Sequence, residues 1–185
     1  MTQPDHDVEL VNRCLKGDKR AFGALVEKYQ KVLFNVALKI VRDADDAADI
    51  TQTVFVRAYE KLDRYNPKYK FYSWIYRMTV NAALNFAKRH SRLTPLETHT
   101  IPSRMNPAED FAGAELSERL DDAMFTLPPE DRALLSLKYT AELSYRDIAY
   151  VFEIPEKTVK SRLYSARQRL KDILMAGGFD EYGRA

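Results

Sequence analysis

Lys157, Lys160, Arg162, Arg167, Arg169 and Lys171 set six cations along one stretch near the end of this 185-residue chain. Ammonium and guanidinium donors bind rather than react. Lys160 and Arg162 have the chemistry for guanine edges, and Lys157, Arg167, Arg169 and Lys171 for phosphates. A second group interleaves the rings of Tyr65, Tyr69, Phe71, Tyr72, Trp74 and Tyr76 with Lys68, Lys70 and Arg77. That mixture suits single-stranded nucleic acid, whose bases stack on rings while cations track the backbone. Most of those rings, Trp74 above all, are expected in the core, because Phe71, Trp74, Ile75 and Met78 keep helical spacing. A third group, Asp45, Asp49, Gln52 and Val56, puts an apolar side chain among acids on one helix arc, which suggests an interface.

Catalytic patterns are missing. His6, His90 and His99 stand apart, and no metalloprotease motif, phosphate-binding loop, dinucleotide fingerprint or nucleophile elbow occurs. Cys14 is the single cysteine, which rules out a disulfide framework or a cysteine-based metal cluster. The expectation is a protein without cofactor or metal that is not an enzyme.

These groups need helices to position them. Val8, Leu10, Val11, Cys14 and Leu15 predict a helix over Asp7 to Lys16, stopped by Gly17; Asp18 then caps a longer one carrying Phe22 through Ile40. A third helix is expected from about Asp45 to Leu62, and a fourth, aromatic-rich, from about Phe71 to His90 after a loop containing Asn66-Pro67. Pro95, Pro102 and Pro107 mark a linker. Beyond it, Phe111, Leu116, Leu120 and Met124 form one helix, and Pro128-Pro129 opens another.

Ser144 caps a short helix to Val151 with Ile148 and Ala149 inward, followed by a turn through Pro155. On the next helix Val159, Leu163, Ala166, Leu170 and Ile173 or Leu174 share one stripe. Lys157, Lys160, Ser161, Tyr164, Gln168 and Lys171 occupy the opposite arc. Residues 144 to 171 therefore read as a helix-turn-helix with one face free to enter a major groove.

The formal net charge is only +2, but its distribution is uneven. Residues 57–92 are strongly basic, 94–131 acidic, and 138–171 basic again. The alternation suggests two polyanion-binding surfaces joined by a segment that avoids the same polyanion. No apolar stretch approaches the length of a membrane span and no apolar run follows a basic start, which predicts a cytoplasmic protein with no membrane insertion. The chain is long enough for two small cores.

At this point a family becomes visible. LPPEDRALLSLKY, LSYRDIAYVFEIPEKTVKSRL and ARQRL, within Leu127 to Leu170, resemble region 4 of bacterial extracytoplasmic-function (ECF) sigma factors, group IV of the sigma-70 family and sigma-E-like. A LuxR-type regulator shares a similar TVK-containing helix-turn-helix and is the alternative. DADDAADITQTVFVRAYEKLDRY, Asp43 to Tyr65, is similar to region 2.2, and FYSWIYRMTVNAALNFAKRH, Phe71 to His90, to region 2.4, which argues for the sigma factor. Nothing resembles region 1.1 or region 3.

The resemblance implies an all-α fold of two small helical domains joined by a flexible linker: a region 2 domain over 1–92, a linker over 93–106, a region 4 domain over 107–176 and a tail over 177–185. It implies an alternative sigma factor that binds core RNA polymerase and directs promoter-specific initiation. Asp45, Asp49, Gln52, Thr53 and Val56 correspond to the surface that docks on the β′ clamp helices, with Thr53 departing from the acid usual there. The β flap is a second expected polymerase contact. Tyr65, Lys68, Tyr69, Arg77, Asn81, Asn85, Lys88 and Arg89 fall where the −10 element is recognised, with Asn85 replacing a frequent aspartate. Arg146, Lys157, Thr158, Lys160, Ser161, Arg162, Tyr164, Ser165 and Arg167 fall where duplex −35 DNA is read. Members of the family are commonly held inactive by an anti-sigma factor, a further implied partner.

Overall fold

The computed structural model describes residues 6–93 and 111–177. The described part is helical: α1 His6–Leu15, α2 Lys19–Val41, α3 Ala44–Glu60, α4 Phe71–Leu93, α5 Phe111–Thr126, α6 Pro129–Tyr139, α7 Tyr145–Phe152 and α8 Glu156–Ala176. Apart from their first residues, the linker expected over 93–106 and the tail over 177–185 lie outside the described residues.

Local chemistry sets the helix ends. Gly17, at φ +101°, turns the chain out of α1 through backbone that side-chain-bearing residues rarely adopt. The Asp18 carboxylate then accepts the Arg20 N–H at 3.1 Å, and that of Asp43 accepts the N–H groups of Asp45 and Asp46 at 2.9 Å. Each fills orphan donors at a helix start. The third helix ends earlier than the expected Leu62. Lys61 leaves helical geometry, and a short 3-10 turn over Leu62–Arg64 swings Leu62 into the core.

α2 organises the fold. Its Leu25, Leu33, Val36, Ala37 and Ile40 are fully buried, and it packs on α1, α3 and α4 and also on α6 from the second half of the chain. The acid Asp7 of α1 is buried against it, accepting from Lys28 Nζ at 2.5 Å and from the Tyr29 hydroxyl. In the second half, Leu134 and Leu137 of α6, Ile148 and Val151 of α7, and Val159, Leu163 and Ala166 of α8 close around one another. Where sequence length allowed two separate cores, the buried apolar side chains instead make one continuous cluster through α2, α4, α6 and α7.

Arg132 sits at that junction. Its guanidinium donates to the carbonyls of Phe125 at 2.9 Å and Leu127 at 3.2 Å within its own half, and across the seam to Ile40 at the end of α2 at 2.6 Å. Burial pushes its pKa down to about 10, with the neighbouring Arg42 adding to the effect, and the group stays charged at neutral pH. The Arg42 guanidinium lies 4.5 Å from the Phe125 ring centroid. Lys39 pairs with Asp121, and Arg42 with Asp122 at 3.4 Å. A guanidinium thus neutralises the carbonyl end of α2, a favourable place for a cation.

Candidate nucleic-acid interface

The helix-turn-helix forms as its sequence predicts. Ser144 Oγ accepts the Asp147 N–H at 3.1 Å, starting α7, and Glu153 at φ 54° ends it. The Ile154 N–H returns to the Ala149 carbonyl at 3.1 Å, and Pro155 opens α8. With Val159, Leu163 and Ala166 buried, the other arc of α8 faces outward: Lys157, Lys160, Ser161, Tyr164, Gln168 and Lys171 are all exposed. Tyr164 is 60% exposed, unusual for so large a ring without a partner to cover it. Arg146 of α7 is exposed, Thr158 half-buried and Ser165 exposed.

The cations of this face divide into two kinds. Lys160 has a loose pair with Glu156 at 3.7 Å, one helical turn away, and lies 5.7 Å from the Tyr145 ring centroid, yet stays open to solvent. Arg162 turns toward α6, 3.9 Å from Glu130, at a groove of about 320 Å³ that Ser161 and Ser165 also line. Arg169 pairs with Asp131, whose side chain is mostly buried, and Arg167 donates to the Tyr139 hydroxyl at 3.3 Å. Arg169 therefore helps hold α8 on α6. The outward arc is carried by the lysines, a division that helical spacing alone did not separate.

The aromatic-basic group is built on the loop before α4. Tyr65 is buried, its ring 5.6 Å from both Phe71 and Trp74, and its hydroxyl donates to the Tyr69 carbonyl at 2.6 Å. It fixes the loop instead of offering a free ring. Asn66 Oδ1 accepts the Lys68 N–H at 3.0 Å, tightening the turn. Tyr69 is left 44% exposed beside Lys68. Along α4, Arg77 is half-buried while Asn81, Asn85, Lys88 and Arg89 are exposed.

Arg64, Asn66, Trp74, Arg77, Met78 and Asn81 surround a cavity of about 300 Å³, closed on one side by Tyr150 of α7. The sequence pattern does not mark Arg64 or Asn66 as contact residues, and helical spacing places Trp74 and Met78 in the core. The structure gives Trp74 both roles, since it packs on Phe71 and Tyr65 and lines the cavity. The spacing of 74, 77, 78 and 81 on one helix arc was the available signal.

α7 lies against this site. Tyr150 stacks on Tyr69 with centroids 4.2 Å apart and planes 28° apart. Glu153 Oε1 is 2.6 Å from an Arg77 guanidinium nitrogen. The Asp147 carboxylate accepts from the Tyr72 hydroxyl at 3.0 Å and from Ser73 Oγ at 2.8 Å. Burial raises the Tyr150 phenol pKa, while Arg77 opposes it.

On α3 the expected docking face is open. Asp45, Asp49, Gln52, Thr53 and Val56 are all exposed, Val56 by 53%. The opposite side, Ile50, Val54, Phe55 and Ala58, is buried. No cluster of metal-ligating side chains occurs among the described residues. No described helix is long and apolar enough to cross a membrane.

Comparison with known proteins accounts for both halves of this geometry. Sigma-70 region 2 matches residues 25–93, and sigma-70 region 4 matches residues 117–170. The chain belongs to the sigma-70 family and is an ECF sigma factor, a promoter-specificity subunit of RNA polymerase. The RNA polymerase sigma-H factor of Pseudomonas aeruginosa is 32% identical over 94% of this chain and 96% of its own length. The ECF RNA polymerase sigma-E factor of Escherichia coli K12 is 31% identical over 92% and 95%. Such relatives are not themselves enzymes.

A solved structure of CnrH in complex with the cytosolic domain of CnrY matches with a TM-score of 0.71 at 25% identity, covering 93% of this chain and 99% of that one. The sigma factor RpoE of Bartonella quintana, in complex with the anti-sigma factor NepR, shares the fold at 21% identity with a TM-score of 0.69, over 83% of this chain and 96% of that one. A LuxR-type regulator is not favoured, because the region 2 match spans α2 to α4.

Proposed function

We propose a division of labour among three faces of this sigma factor. The α3 face of Asp45, Asp49, Gln52, Thr53 and Val56 docks on the β′ clamp helices of core polymerase, and the second half meets the β flap. Lys68, Tyr69, Arg77, Asn81, Asn85, Lys88 and Arg89 contact the separated −10 strand, with Tyr65 holding their loop. Arg146, Lys157, Thr158, Lys160, Ser161, Tyr164, Ser165 and Arg167 contact the −35 duplex, and Arg162 joins them by leaving Glu130. The protein acts in the cytoplasm, where polymerase is. An anti-sigma factor is a further partner, a proposal supported by the structural neighbour that was solved in complex with the anti-sigma factor NepR.

The open cationic arc of α8 carries the reading: an outward row of lysines on a buried-backed helix is the geometry of major-groove entry. Transcription with core polymerase, on promoters located by sequencing start sites after overexpression, tests it. Val56→Asp is expected to abolish assembly with core while leaving duplex binding intact, and Lys160→Ala to weaken duplex binding while leaving assembly intact. Failure of the unmodified chain to direct initiation on any such promoter would count decisively against the proposal.

A further inference from the structure

The contacts between α4 and α7 have a chemistry of their own. A single strand of DNA offers a protein flat rings, single negative charges and clustered acceptor oxygens. α7 presents the same three to the same residues. The ring of Tyr150 lies on the exposed ring of Tyr69 in a parallel stack, where a base would lie. The carboxylate of Glu153 sits on Arg77, where a phosphate would sit. The two oxygens of Asp147 take the Tyr72 and Ser73 hydroxyls, as phosphate oxygens would.

We propose that α7 is an internal mimic of single-stranded DNA: in the free chain it occupies the strand site of α4, and the site opens to a −10 strand only when α7 is displaced. This rests on the assignment of α4 to single-stranded DNA made above.

The mimic is built to be exchanged. The Glu153 side chain is 62% exposed, so its pair with Arg77 faces water and holds weakly. Tyr150 closes one side of the cavity bounded by Trp74, Met78 and Asn81, and moving it joins that cavity to the surface around Tyr69. Asp147 is shared between the two halves: it accepts from Tyr72 and Ser73 and also takes part in the Ser144 cap that starts the helix-turn-helix. Displacing α7 therefore opens the strand site and moves the helix-turn-helix away from α4 in one step. The Arg132 contact to Ile40 uses no residue of the strand site, which leaves α7 as the part that a strand can compete with.

Binding of the full chain to fluorescein-labelled ten-nucleotide single strands of random sequence, followed by anisotropy, tests the mimic. Stacking and phosphate contacts tolerate any sequence, so the pool reports on the site itself. The double variant Tyr150→Ala, Glu153→Gln is expected to bind about tenfold tighter than the unmodified chain, the factor expected if the site is open in about a tenth of molecules. Its radius of gyration in small-angle scattering should rise, and Arg77→Ala added to it should cancel the gain. Glu153→Gln alone, at an exposed position, should give a smaller gain in the same direction and serves as the readout if the double variant does not unfold cooperatively. Equal binding by the unmodified chain and the variants, with Arg77→Ala weakening all of them, overturns the mimic and leaves the strand site standing. No effect of Arg77→Ala in any background overturns the strand assignment and the mimic together.

Discussion

α8 and α4 both carry cations proposed to meet DNA, yet one is open and the other half covered. On α8 the arc of Lys157, Lys160, Tyr164 and Lys171 projects from a helix whose back is buried, and all four side chains are exposed, with only Lys160 reaching the Tyr145 ring at the start of α7. On α4 the N-terminal half, with Arg77 and the preceding Tyr69, is overlaid by α7, whereas Asn85, Lys88 and Arg89 further along are exposed. The difference follows from what each target requires. A groove reader needs charge and hydrogen-bond donors that are content in water. A single-strand reader needs flat apolar rings, and a ring left uncovered is a ready partner for any other ring within reach.

The largest expected effect would break both helices at once. Ile148→Ala, at a fully buried position on α7, should cost about 4 kcal/mol of stability in urea unfolding and remove duplex binding with it. Unchanged duplex binding in that variant would mean that α8 holds its place without α7. Arg132→Met should cost about 3 kcal/mol, because the carbonyls of Ile40, Phe125 and Leu127 lose their donor. It should also loosen the seam, seen as a larger radius of gyration, while the open arc of α8 still binds duplex.

Lys160→Ala sharpens the contrast, with an expected loss of about 2 kcal/mol in −35 duplex binding and none in binding to single strands. A uniform loss across −35 variants would reassign Lys160 from base to phosphate. The smallest effect belongs to Ser144→Ala. Removing the α7 cap should lower stability by about 1 kcal/mol, read as a shifted urea midpoint with an unchanged slope.

Much of this was legible in the residues because the helices carry their own punctuation. Asp18 and Ser144 cap as their types predict, and the stripe of Val159, Leu163 and Ala166 is buried as its spacing requires. The third helix is shorter than its pattern suggested, since Leu62 satisfied the apolar period while entering the core from a 3-10 turn. Tyr65 and Arg162 show the harder case. Residue type made both good nucleic-acid contacts, but a side chain's direction depends on what packs beside it, and neither Phe71 with Trp74 nor Glu130 adjoins its partner in sequence.

By itself the sequence determined the helices, the helix-turn-helix and the family, because capping, periodicity and motif order are local properties of the chain. Only the tertiary structure decided that the two halves share one core, that Arg132 closes the end of α2, and that Asp147, Tyr150 and Glu153 lie on the rings and cations of α4. Those contacts join residues 74 to 92 positions apart. Across such a distance each residue's own pattern reads as an ordinary exposed polar face, and the partner that gives it meaning arrives only with the fold.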